Sequence, residues 1–372
     1  MNNHVYQIEG GSSENINEWA VEFETKMLRA DAAAKKAFEL KEGGFYPDLV
    51  IGHPGWGETF FLKEVWPKTK LLSYVEFYYK TTNSDIDFDK DFIEGTLERD
   101  FKKFHDYNKL KLTARNAPFL ASYATSDYLV CPTEYQKSLV PKSLRDNINV
   151  IHDGIDTKVL KPNKDISVTI RGRKFTNKDQ IVTYVSRSLD PYRGFHIFME
   201  SLPLILKKNP KANIFIVGNK DHQGYGSASP KGSFKDIFYS SISDSIDSSR
   251  VFFLDTLQYS SYVKIIQISS LHIYLTYPFV LSWSLLEAMS CGTLIIGSNT
   301  DPVTEVIHDN INGLLVDFFN SNKLADVVSK VLKSPEEFSH LRVNARKTII
   351  QNYDLDSVCL PSHVDLIKRA LK

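Results

Sequence analysis

The segment YPFVLSWSLLEAMSCG, residues 277–292, decides the fold of this chain. It follows an apolar run and predicts a strand that stops at Pro278, a short loop, and a helix that begins near Ser282. The unpaired N–H groups and the positive dipole end at the start of a helix make an anion site without any special side chain. Glu287 lies just over one turn inside the helix, where its carboxylate can accept hydrogen bonds from vicinal hydroxyls such as those of a ribose. Because Leu285, Leu286 and Met289 around it are apolar, Glu287 is less typical of an ordinary exposed carboxylate on a helix surface.

The second half of the chain alternates between strand and helix on both sides of this segment. Apolar runs of strand length lie at Ile181–Ser186, Asn213–Val217, Val251–Leu254, Leu271–Thr276, Thr293–Ile296 and Gly313–Val316. Segments of helix length lie at Gly194–Lys208, Gly232–Ile246, Ser260–Ile268 and Ser282–Cys291. This alternation predicts βαβ units and a parallel sheet. Several runs are apolar on both faces, as a sheet covered on both sides requires.

The first half shows the same alternation less completely. Strand-like runs lie at Asp48–Ile51, Lys70–Val75, Tyr128–Cys131 and Asn149–Ile151, and helical segments lie at Asn15–Lys41 and Asp91–Thr125. One apolar face is predicted for the first helical segment, formed by Trp19, Phe23, Met27, Ala30, Ala34 and Phe38. A polar stretch at Asp156–Asp179 interrupts the rhythm, and we interpret it as a solvated connector between two domains.

Length, charge and cysteine content narrow the class of protein. The 372 residues exceed the size to which one hydrophobic core usually grows, so two domains are expected. The 45 basic and 45 acidic residues cancel, which excludes a whole-molecule basic field of the kind that holds nucleic acid. The distant cysteines Cys131, Cys291 and Cys359 indicate reduced thiols in a cytosol, and we expect Cys131 and Cys291 to be buried. Met1–Gly11 lacks the apolar core of a signal peptide, and no run approaches the ~20 apolar residues of a spanning helix.

A second candidate site segment is SRSLDPYRG, residues 186–194, at the end of the first strand of the second half. Its two arginines, Arg187 and Arg193, lie on a loop that leads into a helix and can converge on one diphosphate. Arginine suits this role because its planar guanidinium offers paired donors to phosphate oxygens. The spacing alone fits two surface arginines beside a turn equally well.

Together these segments resemble glycosyltransferase family 4 over residues 184–317. The arginine and the lysine-glycine pair of that family are matched by Arg187 and Arg193-Gly194, with arginine in the lysine position. The family's Leu-Glu-Ala-Met-x-x-Gly segment is matched by Leu286–Gly292. Further similar segments are Glu305–Ile307, Asn312–Val316 and His152–Asp156, and two more, His53–Glu58 and Pro132–Gln136, resemble a bacterial branch that assembles surface polysaccharide and lipopolysaccharide.

The resemblance implies an α/β chain of the GT-B fold, with two Rossmann-like domains whose parallel sheets face each other across a cleft. It implies an acceptor-side domain at residues 1–160, a nucleotide-sugar-binding domain at residues 161–355, and a C-terminal helix at residues 356–372 near the domain junction. Family members usually open with a strand close to the N-terminus. Here the first clear strand comes at Leu49, so we expect a reduced or incomplete N-terminal domain.

The implied activity is retaining transfer of a sugar, of the hexosyltransferase type, from a nucleotide-diphosphate sugar to a glycan or glycolipid hydroxyl. The implied setting is surface polysaccharide or lipopolysaccharide synthesis, in the cytoplasm or at the inner face of the membrane. The residues expected to act in catalysis are Arg187, Arg193, Glu287 and Glu76, and those expected to contact the donor are Gly55, Gly57, Leu257, Leu281, Ser282, Trp283 and Ser284. Glu76 fits the role of a plain carboxylate at a sheet edge about as well. No cofactor is expected, and no metal, because no cluster of His, Cys and carboxylates shows ligand spacing.

One departure from the family keeps other functions open. Phe279 stands where the family has the first of two glutamates, whose carboxylate contacts the donor sugar. If Phe279 packs beneath the loop, transfer is expected to survive; if it fills the sugar subsite, the chain binds nucleotide without turning over a donor. A non-catalytic glycan- or partner-binding subunit and a sugar-nucleotide epimerase therefore remain alternatives. A phosphorylase lacks its pyridoxal-phosphate lysine motif here, and an oxidoreductase is disfavoured because no G-x-G-x-x-G follows a strand.

Overall fold

The computed structural model describes residues 2–220 and 224–372, and it divides into two compact units. The first unit contains the residues up to Asp87, Asp100–Asp153 and Cys359–Lys372. The second contains Phe88–Arg99 and Gly154–Val358. This division differs from the limits predicted at residues 160 and 355, because the chain enters the second unit briefly at residues 88–99 and its C-terminal helix belongs to the first.

Strands and helices alternate along most of the chain. The strands are β1 Leu49–Gly52, β2 Lys70–Tyr74, β3 Tyr128–Cys131, β4 Ile148–Val150, β5 Ser167–Ile170, β6 Arg173–Thr176, β7 Ile181–Ser188, β8 Asn213–Asn219, β9 Val251–Phe253, β10 Leu271–Tyr274, β11 Leu294–Ser298 and β12 Leu314–Val316. The helices are α1 Val21–Glu42, α2 Leu62–Val65, α3 Phe101–Thr125, α4 Glu134–Leu139, α5 Lys142–Arg145, α6 Phe195–Lys208, α7 Phe234–Ser240, α8 Tyr259–Ile268, α9 Trp283–Ser290, α10 Asp301–Thr304, α11 Ser321–Lys333, α12 Ser339–Asn352 and α13 Leu360–Ala370.

The first unit is built on a parallel sheet in the order β1-β2-β3-β4. Its strands are short and apolar, and helices supply the crossovers that parallel neighbours require. The C-terminal helix α13 belongs to this unit because Leu366 is buried against Leu72 of β2 and Val130 of β3. The strands that the sequence predicted in this half are confirmed to within one or two residues.

The second unit is built on a parallel sheet in the order β12-β11-β10-β7-β8-β9. One face is covered by a core that contains Leu285, Leu286 and Met289 of α9 together with Ile266 of α8. The strands β7, β8 and β10 are almost wholly buried, which explains why their sequences are apolar at successive positions. The predicted α/β class with parallel sheets is confirmed.

Two local predictions need correction. Ala30 and Ala34 of the predicted apolar face of α1 are buried, but the rings of Phe23 and Phe38 are exposed, and the helix buries Ala37 as well. Small residues let α1 lie close to its neighbours, so the large aromatic residues were a poor guide to its buried side. The polar stretch interpreted as a connector contains the antiparallel pair β5 and β6.

Three helices are shorter than predicted, and the first of them, α1, begins at Val21 and not at Asn15. Within the segment predicted at Gly232–Ile246, α7 occupies Phe234–Ser240, and within Asp91–Thr125, α3 begins at Phe101 after the excursion into the second unit. The predicted burial of Cys131 and Cys291 is confirmed. Among residues 2–220 and 224–372, each helix is too short or too polar to cross a bilayer.

Candidate functional site

The sequence-predicted site segments meet at one edge of the second sheet. The strand order places β10 beside β7, and the chain runs outward from this pair in opposite directions, to β8 and β9 on one side and to β11 and β12 on the other. At such a switch point the loops diverge and leave a crevice at the carboxyl ends of the strands, where α/β sheets bind ligands. We call residues 189–194 the β7 loop and residues 275–282 the β10 loop.

A buried arginine joins these two loops. Arg193 is 8% exposed, and its Nη1 donates to the Val280 carbonyl at 2.8 Å and to the Thr276 hydroxyl at 2.9 Å. The Tyr274 hydroxyl lies 3.4 Å from the same nitrogen. The sequence predicted Arg193 as a phosphate ligand, and in the structure its Nη1 holds the β10 loop through a backbone carbonyl and a side-chain hydroxyl.

The glycine after this arginine is required by packing. Gly194 has a positive φ of 66°, and a Cβ placed there would lie 2.4 Å from the Cβ of Leu275. Only glycine therefore allows the β7 loop to cross the β10 loop at this distance. The arginine-glycine pair that the sequence singled out thus has a structural role at both positions.

Phe279 packs inside the protein. It is 5% exposed, and its ring centroid lies 5.4 Å from that of Tyr192 and 4.6 Å from that of Tyr225. The Arg193 guanidinium carbon lies 5.7 Å from the same ring. The ring thus packs between the β7 loop and the segment that contains Tyr225.

The start of α9 offers fewer unpaired amides than the sequence suggested. The Ser282 amide donates to the Tyr274 hydroxyl at 2.7 Å, and the Ser284 amide donates to the Ser282 hydroxyl at 3.4 Å. The backbone N–H of Trp283, which lies between these two, has no protein partner in the described part of the chain. Its indole is 55% exposed, whereas the side chain of Leu281 lies in the core beneath the helix.

Glu287 is held by two tyrosines. It is 8% exposed, and its two carboxylate oxygens accept hydrogen bonds from Tyr259 at 2.9 Å and from Tyr262 at 2.6 Å. Burial and the charge of Glu287 raise the pKa of both tyrosines, so both hydroxyls keep their protons and donate. The sequence analysis missed this pair, although their spacing of three residues places them on one face of α8.

Arg187 lies apart from this buried network and is exposed. With Gly218, Leu257 and Tyr262 it lines a cavity of about 280 Å³ at the carboxyl ends of β7 and β8. Tyr262 thus borders the cavity and also contacts Glu287. The structure therefore brings together Arg187, Leu257 and, through Tyr262, Glu287.

The predicted residues of the first unit form a cluster of their own. His53 Nε2 lies 3.1 Å from a carboxylate oxygen of Glu76, and the amide of Gly55 donates to His53 Nδ1. The hydrogen bond from His53 lowers the pKa of Glu76 against the opposing effect of burial. A Cβ at Gly57 would lie 2.3 Å from the Lys26 carbonyl oxygen, and one at Gly55 would overlap the His53 ring. Both glycines are thus needed by the protein's own packing.

No group of three or more His, Cys, Asp or Glu side chains placed to hold a metal ion occurs in the residues that the structure describes.

Two family models match the two halves of the chain. A model of the glycosyl transferase family 4 group matches residues 1–160, and a model of the glycosyl transferases group 1 matches residues 168–348. Each half of the chain thus matches a glycosyl transferase model, and the two matched regions together take in most of its length.

A curated relative is the spore coat protein SA of Bacillus subtilis (strain 168). It is 23% identical over 218 residues, a match that covers 57% of this chain and 56% of the relative. The chain thus spans little more than half the length of that relative.

Solved structures of low sequence identity share the fold. Sucrose-phosphate synthase from Thermosynechococcus elongatus has a TM-score of 0.69 at 18% identity, with 97% of this chain and 82% of that chain covered. The Anabaena protein Alr3699/HepE, solved in complex with UDP-glucose, has a TM-score of 0.67 at 14% identity, with 92% and 82% covered. These likenesses support the GT-B fold for this chain.

The β7 loop also contains a buried carboxyl group. Asp190 is 2% exposed and accepts a hydrogen bond from the Arg193 amide at 3.2 Å. Burial raises the pKa of Asp190 from 3.8 to about 6, although the charge of Arg193 and nearby backbone N–H groups lower it in part. The folded state therefore keeps the proton on Asp190 over a pH range in which the unfolded chain has lost it.

This shift predicts how stability depends on pH. Because the pKa is raised on folding, the contribution of Asp190 is most favourable below pH 3.8 and declines until about pH 6. The contribution of Asp190 to the free energy of unfolding declines by roughly 3 kcal/mol over this range, since one pKa unit corresponds to about 1.4 kcal/mol. Asp190→Asn cannot titrate, so the free energy of unfolding of the wild type minus that of the variant should fall between about pH 4 and pH 7. Urea unfolding at stepped pH measures this difference, and a difference that is constant or rises with pH contradicts it.

Proposed function

We propose that this chain is a retaining glycosyltransferase that binds a nucleotide-diphosphate sugar at the switch point of its second sheet. The observation that carries the proposal is the convergence of an exposed arginine, a helix start and a buried glutamate at that edge. Arg187 suits the diphosphate, the Trp283 amide and the dipole of α9 suit a phosphate oxygen, and Glu287 suits a ribose. The base would enter the cavity beside Leu257.

Both carboxylate oxygens of Glu287 already accept a hydrogen bond from a tyrosine, so a ribose can bind there only if it shares an oxygen with one tyrosine or replaces it. Tyr259 is 53% exposed and free to turn outward, whereas Tyr262 is buried and holds its place. We propose that a ribose hydroxyl replaces the Tyr259 hydroxyl on one carboxylate oxygen while Tyr262 keeps the other in position. The pair would then orient Glu287 before the donor arrives.

The proposed reaction needs no protein nucleophile. The bond between the anomeric carbon and the diphosphate oxygen breaks, and the acceptor oxygen bonds to the anomeric carbon on the same face. The acceptor proton passes to the leaving phosphate oxygen. Catalysis then consists of positioning and of stabilising the charge that develops on the nucleotide diphosphate. Arg187 supplies positive charge directly, and Arg193 acts by fixing the backbone of the β10 loop.

The donor, acceptor and setting are proposals of the same kind. A UDP-sugar is the first donor to test, since the GT-B protein Alr3699/HepE was solved with UDP-glucose. We propose a glycan or lipid-linked hydroxyl as the acceptor, in surface polysaccharide or lipopolysaccharide synthesis on the cytoplasmic side of the membrane. Glu76 beside His53, with Gly55 and Gly57 shaping the adjoining turn, is proposed to orient the sugar or the acceptor.

A non-catalytic nucleotide-binding subunit is the second candidate. It is favoured by Phe279, which places no polar group where a donor sugar would need one. The first candidate accommodates Phe279 because its ring is buried in the loop region and leaves the sugar to backbone groups of the β10 loop.

Nucleotide release from a panel of UDP-, GDP-, ADP- and dTDP-sugars tests the proposal. With EDTA present throughout, the wild type should release nucleotide from at least one donor, because arginine and a helix start take the place of a cation.

Glu287→Ala should weaken donor binding by about 1.5–3 kcal/mol through loss of charge-assisted hydrogen bonds. Glu200→Ala, which removes an exposed carboxylate of α6, is the matched control and should behave as the wild type.

Each alternative gives a different result in that assay. Nucleotide binding without release, in the presence of extracted native acceptor, favours the binding subunit. Conversion of the donor sugar to its epimer without release favours an epimerase. Activity abolished by EDTA and restored by Mg²⁺ or Mn²⁺ contradicts the metal-free assignment.

The two arginines should respond differently to substitution. Arg187→Ala should reduce turnover by about 10- to 100-fold, the equivalent of about 1.5–3 kcal/mol, and leave stability unchanged. Arg193→Ala should reduce turnover and also stability, by about 1–3 kcal/mol for each buried acceptor left unpaired. Because both act on one diphosphate, the double variant should lose less than the product of the single losses.

Steady-state kinetics and urea unfolding check this pair, with Arg173→Ala on the exposed part of β6 as the control. Arg193→Ala with wild-type stability would contradict the role assigned to its buried hydrogen bonds. Fully multiplicative losses in the double variant would mean that the two arginines act independently.

A further inference from the structure

Residues 88–99, which we call the strap, reach the second unit from a distant part of the sequence. Phe88 begins the strap, and its ring centroid lies 5.0 Å from that of Tyr277 and 5.1 Å from that of Phe318. Phe92 follows one turn later, between His196 at 5.8 Å and Phe234 at 5.6 Å. The strap is therefore anchored by aromatic packing beside the β7 and β10 loops.

A single carboxylate on the strap contacts both α6 and the β10 loop. Asp89 is 3% exposed, and one of its oxygens accepts hydrogen bonds from His196 Nε2 at 2.9 Å and from the Tyr277 hydroxyl at 2.8 Å. His196 is the second residue of α6 and follows the β7 loop closely, while Tyr277 lies in the β10 loop. Asp89 thus fixes the start of α6 against the β10 loop from one point.

The carboxylate is well suited to this double contact. Its other oxygen accepts the Phe92 amide at 2.9 Å, so both oxygens are used. Burial would raise the pKa of Asp89, but His196, the Phe92 amide and the Tyr277 hydroxyl together lower it, so the group is ionised at neutral pH. An asparagine at position 89 would have one acceptor oxygen in place of two. Its NH₂ group would replace the other oxygen and would face a donor that now has no acceptor.

The far end of the strap holds a third element of the same region. Arg99 donates to the Ser227 hydroxyl at 3.0 Å, and Glu98 forms an ion pair with Lys231 at 2.7 Å. These contacts secure the segment that begins at Gly224. Tyr225 of that segment packs on Phe279 and lies 5.7 Å from the Arg193 guanidinium.

We propose that Asp89 is a positioning residue for sugar transfer, an inference that rests on the function proposed above. The strap joins the start of α6, the β10 loop and the segment that contains Tyr225 and Ser227. Backbone contacts also link the loops, since the Tyr277 amide donates to the Tyr192 carbonyl at 2.9 Å. Asp89 adds the side-chain contact that sets the orientation of Tyr277 and α6.

The test compares Asp89→Asn, Tyr277→Phe and their double variant with Glu94→Gln. Glu94 is the matched control because it is an exposed strap carboxylate that forms an ion pair with Lys90 at 3.8 Å. Amide hydrogen exchange of the unliganded proteins is measured over residues 189–199 and 275–284, together with kcat and donor KM. Tyr277→Phe keeps the buried ring and removes one hydroxyl, so it tests the same contact if Asp89→Asn folds poorly.

We expect Asp89→Asn to raise exchange in both peptides and to lower kcat on the order of 10- to 100-fold, as misplaced reacting groups do. Donor KM should change much less. Tyr277→Phe should have a smaller effect than Asp89→Asn. The loss of kcat in the double variant should be smaller than the product of the two single losses, and Glu94→Gln should match the wild type.

Three results would overturn the inference. The first is unchanged exchange in both peptides, the second is raised exchange with kcat as in the wild type, and the third is an equal effect of Glu94→Gln. A wild type that turns over no donor contradicts the proposed function instead. In that case UDP binding replaces kcat, and the inference stands only if Asp89→Asn weakens that binding by about tenfold or more.

Discussion

The burial of one guanidinium group is the constraint on which the site depends. Arg193 has given up most of its contact with water, so its charge and its N–H groups must be satisfied by the protein. The acceptors that satisfy them are a carbonyl and a hydroxyl of the β10 loop. As a result, two loops that leave neighbouring strands in opposite directions are held at a fixed separation. The glycine that follows Arg193 and the aromatic rings around Phe279 serve the same end, since both allow the loops to pack without a gap.

This constraint bears on the anion site proposed for this neutral chain. Nη1 of Arg193 is bonded to the protein, and under the proposed function the exposed Arg187 and the start of α9 supply further positive charge to the ligand. The loop that Arg193 fixes leads directly into α9 and determines where that helix begins. The tyrosines of α8 play a comparable part on the other side, because they hold the carboxylate of Glu287 before any ligand is present. Preorganisation of this kind lowers the cost of ordering the site when a ligand binds.

Much of the second unit could be predicted from sequence because its strands are buried on both faces. A continuous apolar run such as that of β7 or β10 has few alternatives, and the loops between such runs mark the strand ends where ligands bind. Arg187 and Glu287 could be selected for the same reason. The first unit was harder, since α1 buries alanines and exposes Phe23 and Phe38, and periodicity of large residues does not reveal such a face.

The parts that could not be predicted depend on contacts distant in sequence. Nothing near Asp89 indicates that it meets Tyr277, because 188 positions separate the two in the chain. The sequence also assigned Arg193 and the amides at Ser282 and Ser284 to a ligand, whereas in the structure Nη1 of Arg193 and both amides have partners within the protein. Chemical type identified the groups that make hydrogen bonds, but only the packed structure shows which partner each one has.

A crystal structure of the chain with UDP tests the central claim most directly. The account predicts the diphosphate between Arg187 and the amide of Trp283, the ribose hydroxyls on Glu287, and Tyr259 turned away from its present contact. It also predicts that Arg193 keeps its hydrogen bond to the Val280 carbonyl in the complex. UDP bound away from the switch point, or no binding at saturating UDP, would contradict the account.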